Sequence, residues 1–153
     1  MAWAICWWAW YGNDKPTKHW TVQRGNKLHR LSNAQSLPAA YIRRKGAAVL
    51  VTDPMERVLL TITTPVPDCF FILGAAGDCG TAQRDGYATL SLRWGNAALT
   101  LTAAETGQTA ILRETTPVGR ITRQSDTVDF LVTEDATPAE FAALFWVLAE
   151  TIK

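Results

Sequence analysis

Two histidines are the first residues whose type could do chemistry. His19 stands in Lys18-His19-Trp20-Thr21 and His29 in Leu28-His29-Arg30. A paired-histidine phosphoesterase repeats His-x-Ser/Thr, and the residues two beyond these histidines are Thr21 and Leu31, so only the first matches. On one face of neighbouring strands the two rings could approach each other. No acid follows either at ligand spacing, however, and both read as strand histidines without a catalytic role. Asp126, Asp129, Glu134 and Asp135 offer carboxylates for acid–base work. Their places, around a strand start and ahead of a helix, suit turns and the positive helix N-terminus better than a hydrolytic pair. Gly74-Ala75-Ala76-Gly77-Asp78-Cys79-Gly80 is glycine-rich but lacks the Lys-Ser/Thr of a phosphate loop and leads into a strand, which makes it a wide hairpin turn. Cys6, Cys69 and Cys79 are odd in number and contain no Cys-x-x-Cys, against both a disulfide framework and a zinc site. Cys69 and Cys79 flank the glycine turn and could face each other across it; all three read as reduced, mostly buried thiols of a cytosolic protein. No catalytic, cofactor-binding or metal-binding residue is assigned, and the chain reads as a non-enzyme.

The elements that would position such residues are mostly strands. Short apolar runs recur every 8–12 residues, divided by Gly, Pro, Asn and Asp. Thirteen candidates follow: 3–10, 18–23, 27–31, 40–44, 47–52, 57–63, 69–73, 81–84, 87–94, 98–103, 109–113, 119–123 and 127–133. Several alternate cleanly, with Val58, Leu60 and Ile62 on one parity, and Ala88, Leu90, Leu92 and Trp94 on another. Period two with one polar face is the mark of a half-buried antiparallel strand. The segment 70–85 also lies on 99–114 without a gap, each unit closing on an Arg-acid pair, Arg84-Asp85 and Arg113-Glu114. Such strand–turn–strand repetition suits a meander that closes on itself.

The last element differs in kind. Thr137-Pro138-Ala139-Glu140 reads as an N-cap, a proline at the first helical position and a capping-box acid. Phe141–Ala149 then runs nine residues without a polar side chain, and a helix apolar on every side must be enclosed on every side. Over 138–152 it spans about 22 Å, short of a bilayer. The expectation is a mainly β domain over 1–153. Its strands, within 3–133, form a curled or closed antiparallel barrel of about twelve, around one buried C-terminal helix over 138–152. That helix would fill the lumen and exclude an apolar ligand, so no small-molecule substrate is expected.

Of the 153 residues, 48% are hydrophobic and 19% charged, a globular composition. The net charge of +1 conceals an asymmetry. Residues 1–45 carry eight Lys/Arg against the single acid Asp14, a net of +7, and residues 46–153 carry seven against thirteen, a net of −6. Five of the seven Trp fall in the first twenty residues. Ala2–Tyr11 is apolar, but no basic residue precedes it and five of its ten residues are aromatic. It therefore reads as part of the mature fold instead of an export signal, with a cytoplasmic location as the default. Trp8 and Trp10 share one strand parity and Trp3 and Trp7 the other, so a single strand cannot bury all four on one face. Some must face outward beside the cations. Trp3, Trp7, Lys15, Lys18, Arg43, Arg44 and Lys45 are the candidate partner-binding residues. They suit a protein partner, self-association or a peripheral anionic membrane, with single-stranded nucleic acid ranked behind these.

Val51-Thr52-Asp53-Pro54-Met55-Glu56-Arg57-Val58-Leu59-Leu60-Thr61-Ile62, Phe70–Arg84, Leu99–Arg123 and Asp129–Ile152 together give apolar strands, Gly-bearing turns, strands ending in a basic residue and a final apolar helix. That pattern resembles the tubby-like barrel superfamily: the tubby C-terminal domain, the phospholipid scramblases and the plant LURP-one-related proteins. The resemblance implies about twelve strands closed around a hydrophobic C-terminal helix, and a non-enzymatic role at membranes or with protein partners. A scramblase-like calcium site, a cysteine-rich palmitoylation cluster and a proline-rich tail are missing from the sequence, so scramblase activity is not carried over. The phosphoinositide-binding basic residues of tubby map onto no single positions here. The expected function is thus a non-catalytic interaction module. The alternative is a structural or accessory protein of a phage or mobile element, or a toxin-immunity protein, assembling through its oppositely charged surfaces.

Overall fold

Twelve strands run in sequence order around a closed barrel: β1 (Thr17–Gln23), β2 (Leu28–Ser32), β3 (Pro38–Lys45), β4 (Ala48–Thr52), β5 (Val58–Val66), β6 (Cys69–Gly74), β7 (Cys79–Arg84), β8 (Thr89–Trp94), β9 (Ala97–Ala104), β10 (Gln108–Arg113), β11 (Thr116–Thr122) and β12 (Thr127–Leu131). Each pairs antiparallel with its neighbours in sequence, and β1 closes on β12 with Thr17 opposite Leu131 and Thr21 opposite Thr127. The helix α1 (Ala139–Ala149) follows. This computed structural model describes residues 17–95, 97–104, 107–131 and 139–152. The expected strand over 3–10 and the Thr137–Pro138 cap lie outside them. The other twelve expected strands each fall on an observed one, and the expected closed or curled barrel with a buried terminal helix is the fold.

Alternation along each strand decides which side chains fill the lumen. Trp20, Val22, Leu31, Ile42, Val51, Leu60, Ile62, Ile72, Leu90, Leu92, Leu101, Ile111, Ile121, Val128 and Phe130 all join one buried core. A barrel of about eight strands fills with its own side chains, whereas twelve leave a wider lumen, and a helix about 10–12 Å across occupies it. Ala142, Ala143, Leu144, Phe145, Trp146, Leu148 and Ala149 of α1 are buried, with Phe145 tilted against Phe130 at a centroid distance of 5.5 Å. At the entrance, Phe141 meets Trp94 edge-on at 5.5 Å. Among the described residues closure leaves no exposed sheet edge, since each of the twelve strands is paired on both sides.

The duplication seen in the sequence is structural. Its 29-residue offset lays the hairpin β6–β7 on the hairpin β9–β10, with Arg84 and Arg113 at the two strand ends. The glycine-rich segment is a hairpin turn, as expected, since Gly74 accepts from Gly77 at 3.1 Å and donates to Asp78 at 2.7 Å. Gly80, the second residue of β7, is under tight constraint. A Cβ there would stand 2.5 Å from both the Arg93 carbonyl oxygen and the Trp94 ring.

Candidate functional site

The barrel has two ends, and polar chemistry gathers at the one where α1 finishes. Arg24, just beyond β1, donates from Nε and Nη2 to the Asp126 carboxylate, both at 2.9 Å, and from Nη2 to Glu150. Asp126, with the nearby Glu150, pushes the Arg24 guanidinium above its already high ordinary range, against a smaller opposing effect of burial. The same guanidinium lies 5.0 Å from the Trp146 ring centroid, and Trp146 Nε1 donates to Asp126 at 3.3 Å. The last turn of α1 carries no basic residue of its own. Arg123 supplies the missing cation from beyond β11, donating to the carbonyl oxygens of Ala149, at 2.6 Å, and Ile152. A cation on these unpaired carbonyls completes the helix and favours the negative end of its dipole.

Arg43, Arg44 and Lys45 reach this same end at the tip of the β3–β4 hairpin. All three are exposed, and among the described residues no ion pair or hydrogen bond holds them. By contrast, Arg24, Arg57, Arg84 and Arg120 each hold an acid. Lys18 is elsewhere. Opposite Phe130, near the start of β1, it belongs to the end where α1 begins, with Nζ 5.9 Å from the Trp20 ring centroid. The structure thus brings three of the expected partner-binding cations together and places the fourth across the barrel. Trp3, Trp7 and Lys15 lie outside the described residues.

The two histidines take opposite faces. His19 alternates with the lumen residues Trp20 and Val22 and faces outward, while His29 shares the parity of Leu31 and lies 5.2 Å from the Trp146 ring. They do not approach each other. The acid missing from the neighbourhood of His19 in sequence arrives from β12. His19 Nδ1 pairs with Asp129 Oδ1, and Arg120 Nε reaches Asp129 Oδ2 at 3.3 Å. Thr21 Oγ1 stands 3.4 Å from His19 Nε2, so hydroxyl, imidazole and carboxylate follow one another in the order of a nucleophilic triad. Thr21 is ladder-paired on both sides, to Thr127 and Ser32, and Asp129 is shared with Arg120. The cluster is best understood as a polar clasp over the β1–β12 seam. Among the described residues no group of three metal-ligating side chains forms.

Cys69 and Cys79 do not face each other. Cys69 is opposite Gln83 and Cys79 is opposite Leu73, which separates them by four residues of strand, about 13 Å, too far for a disulfide. Both are free thiols, and against the expectation of burial Cys69 is half-buried and Cys79, on the outward parity of β7, is exposed. The helix also leaves part of the lumen unfilled. Beside its first half a cavity of about 230 Å³ is bounded by Leu92, Trp94, Leu99, Phe141 and Leu144, with Arg113 at its edge. The helix thus does not fill the lumen completely at that end, where Phe141, Leu144 and Phe145 line the opening.

Sequence reasoning missed Arg24, His29, Trp146 and Glu150 as one group. Glu150 carried a signal, as the first polar side chain to end a nine-residue apolar run. Asp126 and Trp146 join only through barrel closure, which no local pattern encodes.

Among solved structures, the chain is similar to the X-ray structure of a protein from Arabidopsis thaliana. The two share 10% identity and superpose with a TM-score of 0.67, over 88% of this chain and 90% of that one. The likeness shows a shared barrel fold. No protein-family model matches the chain, and no curated protein does.

Proposed function

We propose that this protein is a non-catalytic interaction module of the tubby-like barrel type, engaging a protein partner or an anionic membrane surface through its basic N-terminal third. Arg43, Arg44 and Lys45 form the centre of that surface, Trp3, Trp7 and Lys15 are the further candidates for it, and Lys18, at the opposite end of the barrel, is not part of it. One observation carries the reading: three consecutive cations, exposed at a barrel rim and unpaired among the described residues, at the same end as Arg24 and Arg84, which each hold an acid. Cations spent on internal pairs have little left for a partner, whereas unpaired ones retain their full attraction. Each basic residue near an anionic surface is worth about 1 kcal/mol, so the three together supply about a hundredfold in affinity at low salt.

Flotation with vesicles of phosphatidylcholine, with and without phosphatidylserine, tests the membrane form. The protein should float with the anionic vesicles at low salt and separate from them as salt rises past about 0.5 M, where screening acts within a few ångströms. The triple variant Arg43→Ala, Arg44→Ala, Lys45→Ala should lose about a hundredfold. Absence of flotation at low salt sinks the membrane form. The protein form is then tested by capture from the native source, in which the triple variant must lose whatever the unaltered chain retains.

A further inference from the structure

The end of the barrel that holds Arg24 and Glu150 also contains an open cavity of about 350 Å³. Its apolar lining includes Ile42, Phe70, Trp146 and Val147, and Arg43 and Arg44 stand on its wall. Arg44 shares the lumen parity of Ala40 and Ile42 and sits opposite Val49, while Arg43 comes from the outer face. The Trp146 ring is fixed without any ligand, with the His29 ring at 5.2 Å, the Arg24 guanidinium at 5.0 Å and Asp126 accepting from its indole N–H. His29 accepts at Nδ1 from the Gly25 N–H at 3.2 Å, which leaves Nε2 as the donor of the neutral ring. Ready aromatic walls with a few convergent donors characterise small-molecule sites, and this volume is at the lower end of their roughly 300–1,000 Å³ range.

We propose that this cavity binds a small amphipathic anion, a carboxylate on an apolar stem of about ten carbons. The stem lies on Phe70, Trp146 and Val147 and the head is held by Arg43 and Arg44. A neutral apolar ligand would leave the two guanidinium groups without a counter-charge. A cation finds the one acid of the wall, Glu150, already engaged by Arg24. A wholly polar anion would gain nothing from the apolar lining. Guanidinium and carboxylate form charge-assisted, often bidentate pairs, and the stem adds apolar burial. The site rests on the reading of the basic rim as a binding surface, because Arg43 and Arg44 serve both.

Calorimetric titration of the full chain at low salt, with sodium decanoate against decyltrimethylammonium and decyl maltoside, tests the proposal. Decanoate should bind saturably, one to one, at least tenfold tighter than either control. Arg43→Ala with Arg44→Ala should weaken it at least tenfold. Ala47→Trp, at an exposed turn position lining the mouth, should block decanoate while keeping both arginines, with near-ultraviolet circular dichroism reporting an intact fold in each variant. No saturable heat with decanoate, equal binding of the cationic control, or unchanged affinity in a folded double-arginine variant overturns it. Flotation of the unaltered chain separates the two readings, since binding to anionic vesicles without any saturable heat from decanoate leaves the rim standing and refutes the cavity site. Competition identifies the source of the carboxylate. Decanoate that displaces anionic vesicles marks a lipid headgroup, and decanoate that binds without displacing them marks a free amphiphile; both uphold the site.

Discussion

Thr109 is wholly buried on the lumen parity of β10, and among the described residues its hydroxyl has no hydrogen-bond partner. A buried polar atom left unpaired costs about 1–3 kcal/mol, and valine has nearly the same shape without the hydroxyl. Thr109→Val should therefore raise stability by about 1 kcal/mol, read as a higher urea midpoint at unchanged slope. Asp53 is the reverse case, a carboxylate with partners to spare. Its Oδ1 accepts from the backbone N–H groups of Met55 and Arg57, both at 2.9 Å, and its Oδ2 accepts from Arg57 Nε at 2.8 Å. The Arg57 N–H, helped by the Arg57 side chain and Met55, holds the Asp53 carboxyl below the usual carboxylate range against a smaller opposing effect of burial. Because the folded value is depressed, this contribution is fully present above the unfolded value near pH 4 and is lost as pH falls through the folded one. Asp53→Asn should flatten the acid limb of a stability-versus-pH curve below pH 4 and leave the slope near neutrality unchanged.

At the scale of the element, the hairpins share one solution to reversing the chain. In ten of the eleven connections between consecutive strands, one residue has a positive φ, a glycine in five and Ser36, Glu56, Asp68, Glu114 or Asp126 in the others. The β2–β3 and β4–β5 turns are near copies. Asn33 and Asp53 each bond the second and fourth residues beyond through the side chain, and Ser36 and Glu56 take the left-handed position. Strand alternation was readable residue by residue, and the turns announced themselves through Gly, Asn and Asp. Glu56 did not, because nothing in a glutamate forecasts a φ of 67°; the Asp53 bonds impose it. A left-handed residue with a Cβ costs roughly 1–2 kcal/mol, and glycine gives back part of that in unfolded-chain entropy. Glu56→Gly should thus stabilise by about 0.5–1 kcal/mol, and Gly77→Ala, at φ 89°, should destabilise by a similar amount. Thermal melts of the two variants should move in opposite directions.

For the whole molecule, closure is the decisive event. β1 and β12 meet across more than a hundred residues, and that seam carries long-range polar contacts: His19 on Asp129, Arg24 on Asp126, and the Val22 N–H on the Asp126 carbonyl at 2.7 Å. Arg120 of the neighbouring β11 also reaches Asp129. Asp129 is only 5% exposed, so its carboxylate is held by these partners instead of by water. Removing it takes an acid partner from both His19 and Arg120, and hydrogen bonds to charged groups are worth about 1.5–3 kcal/mol. Asp129→Ala should lower stability by about 2–3 kcal/mol in urea. In hydrogen exchange, amides of β1 and β12 should lose protection before those of β4–β6. Equal loss of protection throughout would show that the seam is no weaker than the rest.

The sequence by itself determined twelve of the strands, the hairpin duplication and the enclosure of the last helix, because period-two alternation and an unbroken apolar run are local signals. It also isolated the Arg43–Lys45 run and the Trp excess as unusual. What only the tertiary structure decided is which of these residues meet. Barrel closure sets His19 on Asp129, Trp146 between His29 and Arg24, and Lys18 at the opposite end from Arg43. Register across twelve strands fixes such neighbours cumulatively, so each depends on every pairing between them, and no window of the sequence contains that information.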